Sequence, residues 1–248
     1  MASSEYVKVR EALMKDVSFL VCGIYEPPSN GKPGQNYAQL CTKVFNTTVE
    51  FRQDKHHRWY LDNNQICQYG LGTMLDPNKK WWEYISLNER TVTFLSLDAW
   101  LTFAVLICED LARPDPVGNM LRAVGPNLVI ALLQDGPQLA SRWPARCATV
   151  LADDPGCSVL TLTSAGMAKI SRPQANLGHD GNSSNVVALW RDRECGTREI
   201  ALPKGAEGIV LSLTKKYEKE WTADGRHDDK QAAILRLSGV HPLTIGTI

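Results

Sequence analysis

Three charge-free apolar runs constrain this chain most: FAVLI at 103–107, NLVIALL at 127–133 and SVLTLTS at 158–164. Runs of five to seven such residues have the length of buried strands rather than of helices. Between them lie DPVGNMLRAVG (115–125), which ends on a glycine stop, and SRWPARCATVLADD (141–154), both of helical character. Strand-like segments flank this middle. FLVCGIY (19–25), YAQLCTKVF (37–45), TTVEF (47–51) and TVTFLSL (91–97) precede it, and NVVALW (185–190), REIAL (198–202) and GIVLSL (208–213) follow it. Residues 4–16 place Val9, Leu13 and Val17 on one side behind a Ser3 or Ser4 cap, predicting an amphipathic opening helix. Strands alternating with helices, flanked by hairpin-like strands, predict an α/β layered fold with a sizeable mixed sheet.

No Gly/Ser/Pro-rich linker and no block of like charge divides the 248 residues, so one domain is expected. Its core spans about 19–213, and 214–248 form a charged extension on the surface or against a partner. The 27 basic and 27 acidic residues cancel, which argues against a broad polyanion-binding surface; a local basic patch at 55–58 is still allowed. Nucleic acid is therefore not the ligand that composition points to. The N-terminus has scattered charges rather than a signal-peptide core, and no run approaches the roughly 20 apolar residues of a membrane span. A cytoplasmic protein without membrane contact is expected. Seven dispersed cysteines without a CxxC pair suggest reduced thiols, not a disulfide framework or structural zinc site.

FAVLI stops on Cys108, with Glu109 and Asp110 directly behind it. A sharp turn at a strand end lifts a side chain above the sheet edge beside backbone N–H groups, as in several hydrolases. A thiol there becomes a reactive thiolate with modest help from a cation. The plainer reading of a cysteine closing such a run is a small buried apolar residue. The paired carboxylates demand donors, either helix N-terminal amides or a basic side chain. Lys55, just past a strand end in QDKHHRW, is a candidate cation; alone it would read as a solvated surface charge.

In order, Lys55-His56-His57, then VLICEDL, then GPNLVIALL, then RWPARCATVLADDPGCSVLTLTSAG resemble the carbon–nitrogen hydrolase superfamily, the nitrilases and amidases, over about 19–213. The ICED ending is most similar to its glutamine-amidase branch. The resemblance implies a nitrilase-type α-β-β-α sandwich and hydrolysis of a non-peptide amide or nitrile through a cysteine thioester. Cys108 becomes the nucleophile, and Lys55 with the Glu109 backbone N–H steadies the tetrahedral intermediate. Glu83, in WWEYI, matches a second glutamate that orients the site. No cofactor and no metal is implied; the partners are a small-molecule amide or nitrile and a second copy in a homodimer or larger oligomer. The family's general-base glutamate follows the first strand, whereas FLVCGIY matches the second, so its position falls before Met1. Glu26 follows the wrong strand and is not assigned that role. The expected sandwich thus lacks its first strand, and the alternative is a catalytically inactive scaffold, sensor or assembly module.

Between lysine and cysteine lies an aromatic-rich insertion, 58–85, which resembles nitrilase-like domains attached to reverse transcriptases in bacterial antiviral defence. A reverse transcriptase domain in the same protein is then a further implied partner. The simplest use of Trp59, Tyr60, Tyr69, Trp81, Trp82 and Tyr84 is a small core under a long loop; stacking a nucleobase or lining a subunit contact are the alternatives. His56 and His57 lack metal-ligand spacing, and on an extended segment they would point opposite ways. HDGNSSN and DGRHDD lack the glutamate that ends a calcium loop and read as solvated turns.

Overall fold

The computed structural model describes residues 1–15, 17–45, 47–88, 90–97, 100–170, 185–221 and 227–244. Most of HDGNSSN and the first residues of DGRHDD lie outside them. The chain is of the expected mixed α/β kind and divides into two compact units, Met1–Thr93 with Val105–Arg113, and Phe94–Ala104 with Pro114–Ile248.

In the first unit, helix α1 (Ser3–Leu13) precedes strands β1 (Phe19–Glu26), β2 (Gln35–Val44) and β3 (Thr47–Asp54), which form an antiparallel sheet in that order. Tyr6 of α1 packs with Cys22, Ile24 and Tyr37. The helix buries Tyr6, and Met14 just beyond it, whereas Leu13, expected on the inner face, is exposed. Its start is held by Glu5, whose carboxylate accepts from the Ala2 N–H at 3.0 Å, rather than by a serine cap. Then come β4 (Tyr60–Leu61), the short helix α2 (Asn63–Gln68) and β5 (Trp81–Trp82), with β4 and β5 paired as a small ribbon.

In the second unit, β6 (Phe94–Ser96) pairs with the start of β7 (Thr102–Ile107), whose last three residues belong to the first unit. Beyond α3 (Asn119–Val124), β8 (Leu128–Leu133), α4 (Trp143–Asp153) and β9 (Ser158–Thr163) make a β-α-β unit with β8 and β9 parallel. Helix α5 (Ala165–Ile170) and the antiparallel strands β10 (Val186–Asp192) and β11 (Gly196–Ala201) complete a sheet ordered β11-β10-β9-β8-β7-β6. The apolar runs behave as their composition demands: Phe103 to Ile107 are all buried, and Val129, Ala131, Val159 and Leu189 form the middle of the sheet. Helix α4 carries Pro144 in its first turn and buries Ala145, Ala148, Leu151 and Ala152, one face at helical spacing.

The charged C-terminal region contains two long strands. Strands β12 (Gly208–Trp221) and β13 (His227–Leu243) form one long antiparallel hairpin, from Gly208 opposite Leu243 to Trp221 opposite His227. Cross-strand pairing supplies what the charged sequence does not announce. Among the described residues no helix is long and apolar enough to cross a membrane.

Candidate active site

Strand β7 ends at Ile107, and the chain turns at once into a 3₁₀ segment, Cys108–Ala112. Cys108 takes a φ of +48° there. For a residue with a Cβ this left-handed conformation is uncommon and strained, and such strain persists only where the surroundings impose it. The thiol is half-buried. Burial pushes the thiols of Cys22 and Cys41 up, and that of Cys157 up to about 12, so these three are shielded and poorly ionised.

Asp110, two residues on, is buried and ties this turn to the segment after β3. Its carboxylate accepts from the backbone N–H of His57 at 2.7 Å and of His56 at 3.1 Å, with a longer bond from Ile107 at 3.4 Å. The donors the sequence demanded are thus, for Asp110, amides of the lysine-bearing segment. Burial raises the Asp110 pKa to about 6, outweighing those N–H groups and the nearby charge of Lys55, which pull it down. Glu109 points elsewhere and pairs with Arg113 at 2.6 Å, one turn along.

Lys55 lies directly after β3, where the sequence places it, and is only 4% exposed. An ammonium so buried requires a countercharge, and Glu83 supplies it through a direct ion pair. Glu83 is itself held: Asn36 Nδ2 donates to its Oε1 at 3.1 Å, and the Trp59 N–H makes a long bond to Oε2. A backbone bond from Glu83 N–H to the Trp59 carbonyl, 2.8 Å, fixes the segment. Buried Gln53 anchors the chain beside it, donating to the Thr91 carbonyl at 2.7 Å and accepting from the Thr93 N–H at 2.8 Å. A cleft of about 360 Å³ opens over Lys55, walled by residues 34–36, Arg52, Asp54 and residues 84–86.

The structure therefore brings Lys55 and Glu83 into contact and joins the Cys108 turn to them through Asp110. Nothing in the sequence singles out Asn36, since an asparagine opening a strand after a Pro/Gly loop reads as part of the turn. His56 and His57 do not diverge as an extended segment would place them; their rings lie 4.8 Å apart, because the chain bends there after β3. Burial lowers the His56 pKa, with His57 adding to the effect. Among the described residues no group of three or more His, Cys, Asp or Glu is arranged to hold a metal ion.

No protein-family model and no curated protein matches this chain. Solved structures do. The glutamine-dependent NAD+ synthetase of Acinetobacter baumannii, in complex with adenosine diphosphate, is 14% identical with a TM-score of 0.46, over 80% of this chain and 32% of that one. Nit3 of Saccharomyces cerevisiae, of branch 10 of the nitrilase superfamily, is 15% identical with a TM-score of 0.48, over 79% of this chain and 61% of that one. A cysteine-to-alanine variant of a Nesterenkonia amidase of the nitrilase superfamily is 15% identical with a TM-score of 0.43, over 74% and 57%. These are likenesses of fold. The chain spans between 32% and 61% of the length of those proteins.

Proposed function

We propose that this chain carries the nucleophile and the oxyanion-stabilising cation of a hydrolase of non-peptide carbon–nitrogen bonds. The observation that supports it is the strained Cys108 at the end of β7, held through Asp110 to the segment that buries Lys55 against Glu83. In the proposed reaction Cys108 Sγ attacks the carbon of an amide or nitrile. Negative charge then develops on the substrate oxygen or nitrogen, and the Lys55 ammonium stabilises it. For an amide, the carbon–nitrogen bond breaks, the nitrogen leaves with a proton, and water hydrolyses the thioester to the acid and the thiol. Both carboxylate oxygens of Glu83 already accept hydrogen bonds or charge, which suits a group that positions Lys55 better than one that moves protons. General base work is typically worth ~10²–10⁴ in rate, and no carboxylate of this chain is assigned to it.

That last point motivates the second reading, a noncatalytic scaffold or sensor in a larger protein, of the reverse-transcriptase-linked defence kind that the insertion resembles. Alkylation separates the two. The folded chain is treated with iodoacetamide between about pH 5 and 9, and the seven cysteines are mapped by peptide mass spectrometry, with Lys55→Ala in parallel. The hydrolase reading expects Cys108 to react first near pH 6 and to lose that lead in Lys55→Ala. A Cys108 that reacts no faster than exposed Cys67 and Cys195 would refute it. With a substrate in hand, Lys55→Ala should lower kcat by roughly 10²–10³, the usual cost of losing one oxyanion partner.

A further inference from the structure

Of the six rings in residues 58–85, Trp59 and Tyr69 are half-buried and meet edge to face at 6.4 Å, and the other four are exposed. Tyr60 and Trp81 are each 37% exposed, Trp82 54% and Tyr84 56%. Ile66 is fully buried, and the core expected under this loop takes in Trp59 and Tyr69 but not the four exposed rings. Tyr60 and Trp82 face each other across the β4–β5 ribbon with ring centroids 4.9 Å apart. At one end of this pair the Arg58 guanidinium lies over Trp82 at 5.1 Å, and at the other the Lys80 ammonium lies over Tyr60 at 5.5 Å. The result is a surface pair of tilted rings, each with a cation over it.

The carboxylates of residues 58–84 are committed elsewhere. Asp62 caps α2 by accepting from the Gln65 N–H, Asp76 pairs with Lys79, and Glu83 pairs with Lys55. Arg58 and Lys80 are left with no carboxylate partner among the described residues. Rings alone would suit a protein partner or a sugar. Two cations without a carboxylate partner beside an exposed ring pair call instead for a ligand that alternates flat aromatic groups with negative charge.

We infer that the β4–β5 ribbon binds single-stranded nucleic acid, with bases stacked on Trp82 and Tyr60 and phosphates held by Arg58 and Lys80. Exposed bases have the π-faces such rings need, whereas a duplex keeps its bases stacked internally. The chain has no net charge to attract a polyanion from a distance, so stacking must provide much of the affinity. The ribbon adjoins the Lys55 site, since Trp59 precedes Tyr60 and Glu83 follows Trp82, but this inference stands whether or not the chain is a hydrolase.

The test is a fluorescence anisotropy titration of the full chain with a labelled single-stranded 12-mer of mixed sequence and with its duplex, at several salt concentrations. The single strand should bind more tightly than the duplex. Two phosphate contacts predict a slope of log K against log salt of about −1.4, falling by about 0.7 in Arg58→Ala or Lys80→Ala. Trp82→Ala and Tyr60→Ala should each weaken binding roughly 5- to 150-fold, at ~1–3 kcal/mol per stacked base, while Trp82→Phe, which keeps a ring and the ribbon's packing, retains most of it. No saturable binding, equal or tighter duplex binding, or unchanged affinity in both alanine variants overturns the inference.

Discussion

Asp110 stands where two demands conflict: its position needs a carboxylate to gather the amides of His56 and His57, and its burial penalises the charge. The penalty wins, and the pKa rises from 3.8 to about 6. A carboxyl whose folded pKa exceeds its unfolded value contributes stability that is fully present below the unfolded pKa and lost as pH climbs through the folded one. The wild-type chain should therefore lose on the order of 3 kcal/mol relative to Asp110→Asn between about pH 4 and 6. Denaturant melts of both proteins across that range read the difference. His56 acts in the opposite sense, its lowered pKa adding stability with rising pH, and because Asp110 raises that pKa the two proteins differ in this contribution too. Two parallel melt series would show that Asp110 is not the buried, raised group described. Residues of this kind were half legible in the sequence. The need of Glu109-Asp110 for donors follows from their place behind an apolar strand, but which amides answer depends on β3 ending beside β7, a tertiary fact. Cys108 and Lys55 could be named as candidates from side-chain type and order, and Glu83 only through the resemblance; Asn36 could not, because its contact exists only through Glu83.

At the scale of elements, the buried strands were readable because unbroken apolar runs leave little alternative. The β12–β13 hairpin was not: its strands run through KKYEKEW and HDDKQ, whose charges mask any period of two. It is attached by buried Leu235 and Leu237 and by a few polar links. Asn127 accepts from the Thr102 N–H at 2.9 Å and donates to the Ala233 carbonyl of β13 at 3.1 Å, while Ser158 Oγ donates to the Leu235 carbonyl at 2.6 Å. Asn127→Ala strands two backbone groups and should cost roughly 1–3 kcal/mol. Amide hydrogen exchange should locate the effect, with faster exchange around residues 233–237 and little change in α4. A uniform loss of protection across the second unit would mean that Asn127 matters for folding generally rather than for docking β13.

For the whole molecule, the cancellation of 27 positive and 27 negative side chains, with a pI near 6.9, has a direct consequence for how it behaves in solution. Near neutral pH and at low salt the copies do not repel one another, and exposed groups such as Trp82, Tyr84 and the solvent-facing Phe45 favour loose contact. Nonspecific association should peak near pH 7 and fade at about pH 8.5, where the net charge is negative. The homodimer or larger oligomer that the superfamily resemblance implies makes the opposite prediction, because a packed interface does not depend on the absence of net charge. Sedimentation velocity at both pH values distinguishes them. A specific oligomer gives one fixed mass, a multiple of 27.5 kDa, that persists at the higher pH. A mass that drifts with concentration at pH 7 and falls to the monomer at pH 8.5 shows association through charge neutrality alone, and the oligomer proposal is then withdrawn.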